Sequence, residues 1–427
     1  MFEDWSAAYR LFSEPRFDAE KIFDVIRRAC LHETPSGEPF VAAMDDSLLR
    51  KTGKKTPGVT WRRDPLGPPF QVNFVRGQRV LQISGGVPLG EAPGPVRMIP
   101  LDFRHVPTAK RPRKVAPESE WAAYRQAQKT LNINRQGAER LRVLRERLAK
   151  DDPTRDLWAV VDGRFTNGTF LKNLPEKTVV IGRVRSDARF HHPPAPESVV
   201  RRGRKLQYGD RAPTPEALRQ DETVPWRTVR VWAADKVHEV RVKTMGPVLW
   251  RAAGAERPLR VVVIAPLAYR PRKGSRLLYR EPAYLICTDP DAPLEKIVQA
   301  YVGRWDIEVN FRDEKQIVGA GEAQVRSAHS VQSAPALAVA AYALLHLAGL
   351  RAFGKTGRPG DVPPPKWRKN AVRPRVTTAD WIRQLRHELW GLGLRSGNFS
   401  GFSCERRRDG KPEKLSPDLE AAVLYAV

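Results

Sequence analysis

The sequence predicts an α/β fold, a mixed central sheet flanked by helices, and three observations carry that expectation. Two short apolar runs, PFVAAMDD and LWAVVDG, stop at acidic residues and read as buried strands. Three strand-like segments with Gly-rich turns (GVTWRRD, FQVNFVRG, RVLQISGGVPL) lie between the two runs and precede a long helical pattern. YLICTDP then resumes the apolar style after a long interval of different composition, just before another helix.

The elements follow in order. Residues 1–37 read as a short, polar, helical segment. Residues 106–117 (VPTAKRPRKVAP) read as a Pro-rich basic linker. From Ser119 to Lys150, Trp121, Tyr124, Leu131, Leu141, Leu144 and Leu148 recur at near-helical spacing. TFLKNLP predicts a short helix and TVVIGRVR a strand. Residues 186–282 change character: Pro, Arg and His are frequent, and VRVWAA, HEVRV and LRVVVIAP are strand candidates. One helix is expected from about Pro293 to Lys315 and another from Ala334 to Phe353. The last part is basic and Pro-rich, with a helix in TADWIRQLRHELWGLG. This order suits a ribonuclease-H-like core in two parts, 38–185 and 283–353. A β-rich insertion domain (186–282) interrupts it, and a basic helical segment (354–427) follows.

The chain has 427 residues, enough for two or three domains. At 41% hydrophobic residues it reads as globular, not as a disordered tail. Lys and Arg number 74 against 48 Asp and Glu, a net charge of +26. Such a surplus repels itself unless a polyanion neutralises it, which makes nucleic acid the first partner to consider. Cys30, Cys287 and Cys404 show no paired spacing, so neither a zinc site nor a disulfide framework is expected. MFEDWSAAYRLF carries acids where a signal peptide needs bases, and the apolar stretch around Ala334–Leu350 reads as a core helix containing His346. The expectation is a soluble cytoplasmic protein without a membrane partner.

Three segments place an acid where the apolar pattern stops: AMDDS, VVDG and RWDIEVNF. A carboxylate at the end of a buried strand is costly unless paired. A divalent metal removes that cost, and two Mg²⁺ ions about 4 Å apart are the usual means of activating a hydroxyl in phosphoryl transfer. Taken singly, each aspartate could equally cap a strand or open a turn. The segment around Glu308 adds more. Tyr301, Arg304, Glu308 and Lys315 stand at offsets of three, seven and fourteen. On one continuous helix they fall within an arc of about 60°. That face would present a carboxylate for metal with a guanidinium and an ammonium for phosphates. A solvated face with an Arg304–Glu308 pair would show the same spacing.

The run Tyr301-x2-Arg304-x3-Glu308-x6-Lys315 resembles the signature of DDE transposases of the insertion-sequence-four family, and AMDDSLLRKTGKK and WAVVDGRFTNGTFLKNLP resemble that family's two aspartate motifs. The resemblance spans about residues 40–350. It implies a ribonuclease-H-like catalytic domain interrupted by a β-rich insertion between the second aspartate and the glutamate, here about 145 residues. It further implies Asp45, Asp162 and Glu308 as catalytic metal ligands for two Mg²⁺ or Mn²⁺ ions. Tyr301, Arg304 and Lys315 would then be DNA contacts. The expected partners are double-stranded DNA (transposon ends and target) and a second copy of the chain in a DNA-bound homodimer, in the cytoplasm of a prokaryote on its nucleoid. The reaction implied is cleavage at transposon ends followed by strand transfer. Asp46, adjacent and pointing to the other side of a strand, is the alternative first aspartate.

Lesser signals remain. Basic clusters at Lys110–Lys114, Arg201–Lys205, Arg270–Arg276, Lys366–Lys369 and Arg406–Arg408 suit phosphate contact or a solvated loop. Trp226, Trp232, Trp250 and Trp367 read as packing residues, His191 and His192 as surface. Gly85 and Gly86 lack the Lys-Ser/Thr of a phosphate loop. The competing functions are a catalytically inactive, domesticated DNA-binding protein with the same fold, and a plain nuclease without strand transfer.

Overall fold

In the computed structural model, which describes residues 6–53, 55–64, 67, 71, 73–195, 206–270, 274–355, 357 and 375–391, two helices lead into the sheet, α1 (Ser6–Ser13) and α2 (Ala19–His32). Asp18 caps α2 by accepting from the Glu20 N–H. The first strands are β1 (Phe40–Arg50), β2 (Thr60–Arg63), β3 (Phe74–Pro88) and β4 (Val96–His105). After helices α3 (Glu118–Thr130) and α4 (Ile133–Asp151) come β5 (Leu157–Val161), the single turn α5 (Gly168–Leu171) and β6 (Thr178–Arg183). The next stretch holds α6 (Pro215–Gln220), β7 (Arg227–Ala233), β8 (Lys236–Trp250), β9 (Gly254–Ile264), the small pair β10 (Ala268–Tyr269) and β11 (Leu278–Tyr279), and β12 (Ala283–Cys287). Helices α7 (Leu294–Gly303), α8 (Asp306–Gln316), α9 (Ser330–Phe353) and α10 (Thr378–Arg386) follow.

The sheet has ten strands in the order β2-β3-β1-β5-β6-β12-β9-β8-β7, with β4 also on β3. β1 pairs antiparallel with β3 and parallel with β5, and β5 pairs parallel with β6. A large mixed sheet flanked by helices is the ribonuclease-H-like arrangement. Phe23 and Ile26 of α2 and Leu141 and Leu148 of α4 join Met44 and Val161 in the core on one face. On the other face Ile297 and Val298 of α7 pack with Val160, and Ile307 and Phe311 of α8 with Ala43 and Met98. Helix α9 is long and apolar enough to cross a bilayer by length and composition; Ala336, Val339, Ala340 and Ala343 on it join the core beside α2 and β4.

Several expectations change. β1 does not stop at its aspartates but runs on to Arg50, because β3 continues to pair with it through Gly77. FQVNFVRG and RVLQISGGVPL do not form two strands. From Phe74 they are one long strand, and Gly85 marks close packing and not a turn: a Cβ there would stand 2.7 Å from Leu101 Cδ1 and 2.9 Å from Phe40. β4 was not anticipated, since Pro and Arg interrupt its apolar pattern. The helical pattern 119–150 divides where Asn132 caps α4 by accepting from Asn134 and Arg135 N–H groups. The helix expected from Pro293 to Lys315 is two, α7 and α8, separated by a tightened turn in which Ile307 N–H bonds Arg304 O and Glu308 N–H bonds Trp305 O. Gly303, a poor helix former, precedes that turn. Strands β7, β8 and β9 of the interval 186–282 extend the core sheet beyond β12 instead of standing apart. Of the basic clusters, Arg201–Lys205, Arg272, Lys273, Lys366–Lys369 and Arg406–Arg408 lie outside the described residues, as do Trp367 and Cys404.

Candidate active site

The site forms where β5 ends and β1 continues. Met44 faces Val161 in the last parallel pairing, so one step further in register sets Asp45 beside Asp162. Parallel neighbours in register share a face, and side chains alternate along each strand. Ala43 and Val160, two residues before each acid, pack on the α7–α8 side. Both acids therefore point to that side. Asp162 then opens a turn, accepting from the Arg164 N–H at 3.0 Å and, through its carbonyl, from Thr166 Oγ1 at 2.9 Å.

The bend between α7 and α8 brings the third acid. Arg304 Nη1 donates to Asp45 Oδ2 at 3.1 Å, and Arg304 Nη2 donates to Glu308 Oε1 at 3.1 Å. One guanidinium thus stands between the two carboxylates. Lys315, two turns beyond Glu308 on α8, donates to Ser47 Oγ at 2.5 Å, on the same side of β1 as Asp45. Tyr301 lies in the last turn of α7, partly buried against the cluster that holds Val160 and Ile297, so the helix break removes it from a strict shared face with Glu308.

Asp46 points to the opposite side. Arg79 Nε donates to it at 2.8 Å and Arg164 Nε pairs with it at 3.1 Å. Burial pushes its carboxyl up, against the Arg164 and Arg62 charges. Asp45 is pushed up to about 7, first by burial and then by the neighbouring Asp162 charge, while Arg304 pulls it down. Burial also raises Asp162, opposed chiefly by the Arg164 N–H. Two like charges held side by side and screened from water are a poor arrangement for folding and a good one for a cation.

The donor set of Asp45 and Asp162, hard oxygens with buried and mutually repelling charge, fits a hard divalent ion such as Mg²⁺ or Mn²⁺. Glu308 does not close the group: among the described residues no three His, Cys, Asp or Glu side chains stand together as an ion site. Arg304 occupies the place between Asp45 and Glu308 and supplies the positive charge there.

Sequence reasoning missed the layer behind α8. Ile307, Asn310, Phe311 and Glu314 form its buried stripe. Gln82, directly opposite Asp45 on β3, donates to Glu314 Oε1 at 2.9 Å. Asn310 donates to the Met98 carbonyl and accepts from the Tyr342 hydroxyl. Glu314 is 2% exposed, and burial raises its carboxyl to about 8. At the start of α8, Asp306 takes a bidentate pair from Arg375 and the Met98 N–H. The 307/310/311/314 spacing was the available signal, and its two polar members hid it. Among the Trp residues, Trp226 lies under Arg241 and Lys243, and Trp250 packs on Phe190. His191 is half-buried and bridges to Leu249.

One family, described as DDE superfamily endonuclease, matches residues 3–255. That span contains Asp45 and Asp162 and ends before the α7–α8 bend. No curated protein matches the chain.

Proposed function

Because the chain belongs to the DDE superfamily endonuclease family, whose members act on DNA with divalent metal, we propose that it is a DNA transposase of the insertion-sequence-four type, cutting transposon ends and joining the freed 3′-hydroxyl to target DNA. The observation that carries this reading is the in-register pair Asp45–Asp162, reached by Glu308 through the shared Arg304. In this reading Asp45 and Asp162 would hold the metal, and Glu308, now tied to Arg304, would be available to it when Arg304 turns to a phosphate. Asp46 serves instead to anchor Arg79 and Arg164. Divalent ions held there would supply activation of the attacking hydroxyl and stabilisation of the leaving oxygen. Arg304, with a planar fork, grips one phosphate oxygen pair. Lys315, oriented by Ser47, meets the next phosphate as a point charge, and Tyr301 borders the strand. The protein works on double-stranded DNA as a homodimer in the prokaryotic cytoplasm.

The reading is tested with supercoiled plasmid and a 3′-hydroxyl donor duplex. Wild type should nick only with Mg²⁺ or Mn²⁺ and yield a joined product, while Glu308→Gln should bind DNA and do neither. A second reading draws on Glu308 being tied to Arg304 with no three-acid group assembled: a DNA-binding protein that has kept the fold without the chemistry. Binding without nicking by the wild-type protein would select it. Nicking without joined product would leave a simple nuclease.

A further inference from the structure

At the sheet edge, β2 and β3 form a two-stranded ribbon. Trp61 lies opposite Arg76 and Arg63 opposite Phe74. All four side chains share one face. That face is the catalytic one: Gln82 lies directly across from Asp45, and β3 runs in unbroken register from Gln82 down to Phe74, so every second residue from Gln82 to Arg76 and Phe74 points with Asp45.

Edge strands usually carry charge and little apolar surface. Here Trp61 is 66% exposed and Phe74 59% exposed. Neither belongs to a core cluster among the described residues. The ribbon is held from other points. Arg62, on the opposite face, donates to Thr108 Oγ1 at 2.9 Å. Arg76 donates to the Thr52 and Gly53 carbonyls at 3.0 and 3.1 Å, which fixes its guanidinium 5.8 Å from the centre of the Trp61 ring. The ribbon is thus tied down by polar contacts, with neither ring buried in the core. Exposed aromatics alternating with guanidiniums are what an unpaired nucleic-acid strand recognises, since every base has a π-face and every phosphate a charge. Trp61 and Phe74 are diagonal neighbours, about 7–8 Å apart. That is roughly twice the ~3.4 Å rise between stacked bases, so the pair suits bases pulled apart from one another.

We propose that the β2–β3 ribbon is a second DNA-contact site, in which Trp61 and Phe74 stack on unpaired bases and Arg63 and Arg76 meet the adjoining phosphates, six to eight residues along β3 from the level of Asp45, about 20–27 Å away. This rests on the chain acting on DNA and adds which form of DNA it holds: a strand opened some distance along the same sheet face from the acids.

The test compares wild type with Trp61→Ala/Phe74→Ala in the full chain, using a labelled duplex with a short unpaired tail and the same duplex blunt. Thermal denaturation checks the fold, and metal-dependent plasmid nicking by wild type is measured alongside. The double variant should lose at least about tenfold in affinity for the tailed duplex and less than about threefold for the blunt one. Equal loss on both probes overturns the proposal, as does no loss on either. A change of oligomeric state in the double variant also overturns it, since a second copy of the chain would then cover the rings. Wild type that nicks plasmid while the variant binds tailed DNA normally defeats this inference alone. Wild type that neither binds nor nicks defeats the transposase reading and the inference with it.

Discussion

Arg304 and Asp45, far apart in sequence, meet at 3.1 Å and are both largely shielded from water. The guanidinium lies where Asp45 and Asp162 most need positive charge, and its other arm holds Glu308. Arg304 therefore stabilises the site as it stands, and if the transposase reading holds it changes partners when a phosphate or a metal arrives. Arg304→Ala should leave the buried Asp45 without its cation and cost about 1–3 kcal/mol in metal-free protein. Arg304→Lys should recover part of that stability and little of the nicking rate, because an ammonium cannot serve two carboxylates or fork a phosphate. Chemical denaturation in EDTA and nicking rates read the two effects separately. A lysine variant as active as wild type would remove the guanidinium from the reading.

Metal should stabilise the fold by binding only the native state. Mg²⁺ or Mn²⁺ should raise the Tm of wild type and leave Asp162→Asn unmoved, while the same variant loses at least about 100-fold in nicking, since outer-shell partners of metals alone cost ~10–100-fold. In EDTA, Asp162→Asn should melt no lower than wild type, as it relieves the crowding of Asp45. A metal-induced rise of equal size in both proteins would place the ion elsewhere.

Asp306 and Arg375 form the clamp that seats the start of α8. Asp306 is 7% exposed and accepts both Arg375 nitrogens at 2.6 and 2.7 Å. Arg375→Ala leaves the buried Asp306 carboxylate without its guanidinium, keeping the Met98 N–H, and should cost about 3–5 kcal/mol. Arg164→Ala, whose side chain is half-exposed beside Asp46, should cost under about 1 kcal/mol. Urea denaturation of the two variants decides it, and equal losses would show that Asp306 finds another cation.

Glu314 should make stability fall as pH rises. Burial holds its carboxyl at about 8 against an ordinary 4.5, so between those values the folded chain keeps a proton that the unfolded chain has lost. Its contribution is whole below about pH 4.5, declines through the window and is gone above about pH 8. Glu314→Gln keeps an acceptor for Gln82 and has no charge to bury. Its Tm relative to wild type should therefore climb between about pH 5 and pH 9 by several degrees, at ~1 °C per kcal/mol for a chain of this length. Parallel pH profiles for the two proteins would exclude a titrating Glu314.

The acids at Asp45 and Asp162 and the run from Tyr301 to Lys315 were visible in the sequence because each lies in a short segment with its own periodicity, and the matched family covers the first two. β4 and the polar stripe Asn310–Glu314 were not, since their pattern makes sense only against β3 and Tyr342. The insertion strands were legible as strands, but not as part of the core sheet, because strand pairing is set by hydrogen bonds to partners elsewhere in the chain.

By itself the sequence determined the α/β class, the basic surface and which segments carry acids, all properties of local spacing and composition. Only the tertiary structure decided that Asp45 and not Asp46 shares a face with Asp162, that Arg304 stands between Asp45 and Glu308, and that the long helix bends at that point. Those depend on the register between β1 and β5 and on which side of the sheet α8 packs, where a shift of one residue would turn every side chain to the other face.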